Sequence, residues 1–207
     1  MSSPERVVRT WSPIGPPLGL VIASMAGAGP APVVLIDGPS GAGKSTLADR
    51  IAAAWPDGQT PVLVRLDDIY PGWQGLDGAI SHLTRHVLAP RAAGRPAAWQ
   101  RYDWASGTVA EWHPVDPARP LIVEGCGALA AEHLPFSEIR IWLAADDGIR
   151  KQRALARDGD LFRSHWDEWQ EEWEAYLGRE DPEHAATIRL NGGDSSPCSG
   201  PDSGAAD

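Results

Sequence analysis

Along the chain, short apolar bursts alternate with stretches in which apolar residues recur at helical spacing, and most bursts close on a polar or glycine-rich step. The run "VVLID" at 33–37, bounded by Pro32 and Gly38, reads as a buried parallel strand. Residues 44–55 follow as a helix ended by Pro56. A second apolar run at 61–66 leads into "DDIYPGW", which sets two carboxylates at the end of a strand. Residues 76–88 carry Ala79, Ile80, Leu83, Val87 and Leu88 on one helical face and are expected to stop at Pro90. "AAWQRYDWASGTVAEWHPV" predicts two extended pieces turning at Ser106 and Gly107. "PLIVEGCGAL" and "EIRIWLAADD" supply two further strands. Two helical stretches, 146–157 and 164–177, follow with "DGD" between them, and "TIRLNGG" offers a last strand. Alternation of this kind predicts an α/β fold, a parallel sheet with helices on both faces, whose ligands bind beyond the carboxyl ends of the strands.

Composition narrows the function classes. The 207 residues are 43% hydrophobic and 22% charged, enough for a single well-buried core. With 28 acidic against 18 basic side chains, the net charge of -10 argues against a protein that wraps nucleic acid and favours a small-molecule partner. Cys126 and Cys198 have neither disulfide-framework nor zinc-ligand spacing and suit a reducing, cytoplasmic setting. The apolar run "LGLVIASMAGAG" is too short and glycine-rich for a bilayer span of roughly 20 residues, so no membrane association is expected. Arg6 and Arg9 before it admit a signal-peptide reading, against which stands the ATP-using segment that follows, and Met25 admits a later start. Residues 1–31 are assigned to a Pro/Gly-rich extension, 32–190 to the catalytic domain and 191–207 to a disordered tail.

The chemistry begins at "GPSGAGKS". Gly38, Gly43, Lys44 and Ser45 satisfy GxxxxGK[ST], after a strand and before a helix, the context in which that pattern forms a phosphate-binding loop. Such a P-loop fold turns successive backbone N–H groups onto phosphate oxygens at a helix N-terminus. Gly38, Ser40, Gly41, Ala42, Gly43, Lys44, Ser45 and Thr46 are therefore assigned to the nucleotide, with Lys44 on the β- and γ-phosphates and Ser45 on Mg2+. No guanine-reading NKxD pattern occurs, which favours ATP. Ser40, in "GPSGA", lies inside this loop and does not indicate a hydrolase nucleophile. Asp67 or Asp68, at the second strand end, is placed to take the proton of an attacking hydroxyl; Asp67 is the favoured base, with Asp68 then a cap or a ligand to magnesium-bound water.

"IDGPSGAGKST", "LDDIY", "RYDW", "LIVEG" and "DDGIRKQRALARDG" stand in the order and approximate spacing of the uridine kinase-like P-loop kinases, a group that includes phosphoribulokinases and pantothenate kinases. Over residues 33–177 the chain resembles that group. The resemblance implies Asp67 as base, Tyr70 lining the acceptor pocket, Tyr102 and Asp103 on a nucleoside, and Glu124 holding Mg2+ through water. Two features depart from the pattern. The aspartate-rich segment of uridine kinases is lacking, with only Asp77 in its neighbourhood, and no histidine follows Tyr102 and Asp103 before His113.

Arg150, Arg153 and Arg157 form one basic stripe if helical. The resemblance makes it a lid, with Arg153 and Arg157 closing on the transferred phosphate. Phe162, Trp166, Trp169, Trp173, Tyr176 and Leu177 gather on one helical face as core, opposite an acidic, solvated face. His82 and His86 lack a third metal ligand. Acceptor choice is expected to rest on Trp73, Trp99, Tyr102 and Trp104. These readings combine into an ATP- and Mg2+-dependent small-molecule kinase, acting on a nucleoside or similar metabolite. The alternatives are a nucleoside monophosphate, sugar phosphate or pantothenate-type acceptor, and an ATP-binding sensor with no acceptor. A homo-oligomer is left open.

Overall fold

In the computed structural model, residues 8–11, 16–25, 28–137 and 139–192 are described. Six strands form one sheet: β1 (Val8–Trp11), β2 (Val33–Asp37), β3 (Val62–Arg65), β6 (Leu121–Glu124), β7 (Ile139–Ala144) and β8 (Ile188–Gly192). Every pairing is parallel, in the order β1-β8-β7-β2-β6-β3. β4 (Ala97–Asp103) and β5 (Thr108–Val115) make a separate antiparallel hairpin that turns where "WASG" predicts it.

Burial explains why the central strands read as continuous apolar runs. All five residues of β2 are buried, and alternate side chains enter different cores. Val34, Ile36, Ile122, Ile141 and Leu143 pack with Leu47 and Ile51 of α2 (Lys44–Ala53) and with Val21 and Met25 of α1 (Pro16–Met25). Val33, Leu35, Leu121, Val123 and Trp142 face the second core. That layer is built from α3 (Leu76–Leu83), its π-type continuation Thr84–Leu88, and the long helical segment Asp147–Glu180. Both faces of the sheet are covered, as the sequence pattern predicts.

Three boundaries differ from expectation. Val8–Trp11 and Pro16–Met25, assigned above to an extension, form an edge strand on β8 and a packed helix. β8 likewise takes in Asn191 and Gly192, first residues of the assigned tail; the rest of that tail lies outside the described residues. The helix begun at Leu76 runs past Pro90, because the π-type turn puts this proline in the first turn of a new segment, α4 (Ala89–Ala92). A missing N–H is tolerated there. The "DGD" break is seen as one residue, Gly159, at φ 68° and ψ -151° within α5 (Asp147–Glu180), so residues 147–158 and 160–180 are two rods joined at that glycine. A last short helix, α6 (Pro182–Ala185), leads into β8.

Candidate active site

The loop between β2 and α2 curls because its glycines take backbone angles that L side chains avoid. Gly41 has φ 80°, and a Cβ there would lie 2.0 Å from the Arg150 carbonyl oxygen, so only glycine fits. Lys44 is buried, and its ammonium donates to the Gly38 and Pro39 carbonyls at 2.8 and 3.1 Å, with the Cys126 sulfur at 3.6 Å. Burial opposes that charge, yet Cys126, Glu124, Asp67 and Asp37 together hold its pKa above the ordinary lysine value.

A cavity of about 240 Å³ opens beside this loop, lined by Ser40, Gly41 and Gly43–Thr46 on one side and by Asp67, Glu124, Arg153 and Arg157 on the other. Glu124 closes it from the end of β6. Burial, and then the neighbouring Asp67, raise its pKa, while Lys44, a hydrogen bond from Ser45 and Arg65 work the other way. Its Oε1 is buried without a hydrogen-bond partner, the nearest cation being Arg65 Nε at 3.5 Å. The Ser45 hydroxyl and the buried Glu124 carboxylate, with its orphaned oxygen, fit a magnesium ion that keeps most of its waters. No group of three or more His, Cys, Asp or Glu side chains able to hold a metal occurs among the described residues.

The fold is that of a P-loop kinase-like protein. A solved structure titled a possible uridine kinase from Bacillus stearothermophilus superposes with a TM-score of 0.60 at 18% identity, covering 84% of this chain and 96% of that one. No family model matches the sequence, and no curated protein matches it significantly. Among the described residues, no helix is long and apolar enough to cross a membrane.

In this P-loop fold a second cavity, of about 310 Å³, adjoins the first. Asp67 and Asp68, carried on a short 3-10 turn after β3, form one wall, and Tyr70, Trp73, Trp104, Phe162 and Trp169 supply aromatic faces. Ser40, Asp67 and Arg157 line both cavities. Arg157 forks onto Asp158 at 2.7 Å and stands 3.7 Å from Asp67, and the Asp158 bond, together with Asp67, holds its charge.

The remaining expected residues are distributed less evenly. Gly38 and Ala42 do not line the cavity: the Gly38 carbonyl accepts from Lys44, and Ala42 is core. Tyr70 lines the second cavity and donates to the Cys126 carbonyl at 2.8 Å. Tyr102 sits edge-on to Trp104 behind that wall, and Asp103 accepts from the Ala105 N–H and the Ser106 hydroxyl at 3.1 and 2.9 Å, holding the hairpin turn. Neither lines the cavity, and neither does Trp99, which stacks on His113. The basic stripe divides as well. Arg150 is buried on Asp147 and Gln170, whereas Arg153 and Arg157 reach the phosphate side.

Sequence reasoning missed Asp37. Fully buried, it accepts from the Gly38, Gly127 and Leu129 N–H groups at 2.7, 3.2 and 2.8 Å and from the Tyr176 hydroxyl at 2.6 Å. It thereby ties the start of the P-loop to the turn after β6 and to the tryptophan-rich rod. Trp169 adds a second tie, donating to Ser40 at 2.9 Å. The available signal was a carboxylate ending an apolar strand directly before the first P-loop glycine.

Proposed function

We propose that the protein is an ATP- and magnesium-dependent kinase that phosphorylates a hydroxyl group of a small molecule, nucleosides being the acceptors suggested by the uridine kinase-like motifs. The observation that carries this reading is the sharing of Ser40, Asp67 and Arg157 by two adjacent cavities. One has the lining of a triphosphate site and the other is an aromatic-walled pocket of ligand size. A nucleotide sensor has no use for the second.

In this reading Lys44 exchanges its two carbonyl bonds for the β- and γ-phosphates, and the loop N–H groups hold the remaining oxygens. Ser45 and Glu124 would hold magnesium, which offsets phosphate charge when bound. Asp67 takes the proton of the acceptor hydroxyl as its oxygen bonds to the γ-phosphorus. The bond to the β–γ bridging oxygen breaks, ADP departs, and Arg157 stabilises the charge spread over the transferred group. Arg157 already lies close enough to Asp67 to serve both sides of the transfer.

The test is ADP release from MgATP across a panel of nucleosides, other alcohols and phosphorylated metabolites, with Lys44→Ala as blank. Acceptor-dependent release is expected, and Asp67→Asn should lower turnover while ATP still binds. Release that no acceptor stimulates, with ATP bound, would overturn the reading in favour of a sensor.

A further inference from the structure

Most hydrogen-bond donors facing the acceptor cavity are already committed within the protein. The Trp104 indole N–H donates to the Asp67 carbonyl and that of Trp169 to Ser40, each at 2.9 Å, and the Tyr70 hydroxyl donates to the Cys126 carbonyl. Arg157 is the one cation in the lining; it is forked onto Asp158 and also faces the phosphate cavity. Among the lining residues there is no Asn, Gln, Lys or His.

Aromatic surface and carboxylate oxygens remain. Asp67, Asp68 and Asp158 all line the cavity, against that single guanidinium. Asp68 is half-buried and, among the described residues, makes no hydrogen bond and no close ion pair. Burial and the adjacent Asp67 push its pKa up, outweighing the opposing charges of Arg65, Arg101 and His113, none of which lines the cavity. Next to it, Trp73 and Trp104 meet at 4.7 Å and 52°, forming an aromatic corner, with Phe162 and His165 both stacked on Trp73. A nucleobase edge needs donors as well as acceptors, and a phosphate or carboxylate needs a cation to spare. A carboxylate beside indole faces suits an ammonium group.

Resting on the kinase reading above, we propose that the acceptor is an alcohol bearing a protonated or quaternary amine, the amine held by Asp68 at the Trp73–Trp104 corner and the hydroxyl directed to Asp67. Nucleoside monophosphates, sugar phosphates and pantothenate are disfavoured by the same charges.

The test uses matched acceptors on the wild-type protein: choline against 3,3-dimethyl-1-butanol, and 2-amino-1-phenylethanol against 1-phenyl-1,2-ethanediol, with uridine and pantothenate alongside. Acceptor-stimulated ADP release is read as kcat/KM, and binding of MgATP is followed separately. The cationic member of a pair should be favoured about tenfold or more, the scale of a partly desolvated cation–π contact beside a carboxylate. Asp68→Asn, its folding checked by circular dichroism, should collapse that preference to about twofold or less. Equal or better use of the neutral partners, of uridine or of pantothenate would overturn the inference and leave the kinase reading standing. Release unstimulated by any acceptor while MgATP binds would overturn both. Because the wild-type comparison decides the sign, a variant that fails to fold does not shelter the proposal.

Discussion

Replacing Tyr176 by Phe removes one oxygen from a fully buried position and with it the 2.6 Å bond to Asp37. A hydrogen bond to a charged buried acceptor contributes about 1.5–3 kcal/mol, and a neutral one about 0.5–1.5 kcal/mol. Asp37 keeps its three backbone donors, so the loss should stay in the single-bond range rather than unfold the protein. The pH dependence follows from the direction of the Asp37 shift. Burial raises its pKa above the ordinary 3.8, and the Tyr176 bond is the largest influence opposing that rise. A folded-state pKa above the unfolded one means that the native state binds the extra proton, so this group's contribution is fully present below the unfolded value and is lost as pH rises through the folded one. Removing Tyr176 raises the folded pKa further, so the variant's deficit is larger at higher pH and shrinks on acidification. Urea denaturation of Tyr176→Phe and wild type at pH 7.5 and again near pH 5 should show a deficit of about 0.5–3 kcal/mol at the higher pH that narrows at the lower. A deficit under about 0.5 kcal/mol at pH 7.5, or one indifferent to pH, would refute the tie between the tryptophan-rich rod and the P-loop.

Other substitutions probe the loop and the arginine-bearing rod. Lys44→Ala should reduce acceptor-stimulated turnover at least about 100-fold, measured as ADP release, because Lys44 is the buried cation of the loop while Arg153 and Arg157 line the cavity from the opposite side. Gly41→Ala sets a Cβ 2.0 Å from the Arg150 carbonyl oxygen, and calorimetric titration should find ATP binding lost together with a drop in melting temperature. Gly159→Ala meets no neighbouring atom within 4 Å, so its cost should be the backbone strain alone, about 1–3 kcal/mol, read by thermal melting. If residues 147–158 must pivot there to bring Arg157 onto phosphate, kcat should also fall while ATP affinity is retained.

The chain by itself determined the parallel α/β pattern, the P-loop with Lys44 and Ser45, the carboxylates at the ends of β3 and β6, and the aromatic face of the last long rod. Each is written in local spacing: an unbroken apolar run buried on both faces, a glycine turn between strand and helix, apolar residues returning every three or four positions. Only the tertiary structure decided which of these groups meet. Asp103 ends β4 and Asp67 follows β3, yet one is consumed by its own hairpin turn and the other stands between two cavities. Arg150 and Arg157 share a stripe, but the packing of Asp147 and Gln170 buries the first. Asp37 acquires its role from Tyr176, 139 positions away, and Ser40 from Trp169, 129 away. Edge strand β1 becomes a strand only because β8 offers it an open edge. Local sequence sets φ, ψ and amphipathicity within a few residues, whereas hydrogen-bond partners at such separations depend on how crossovers order the strands and which rod lies over which strand end.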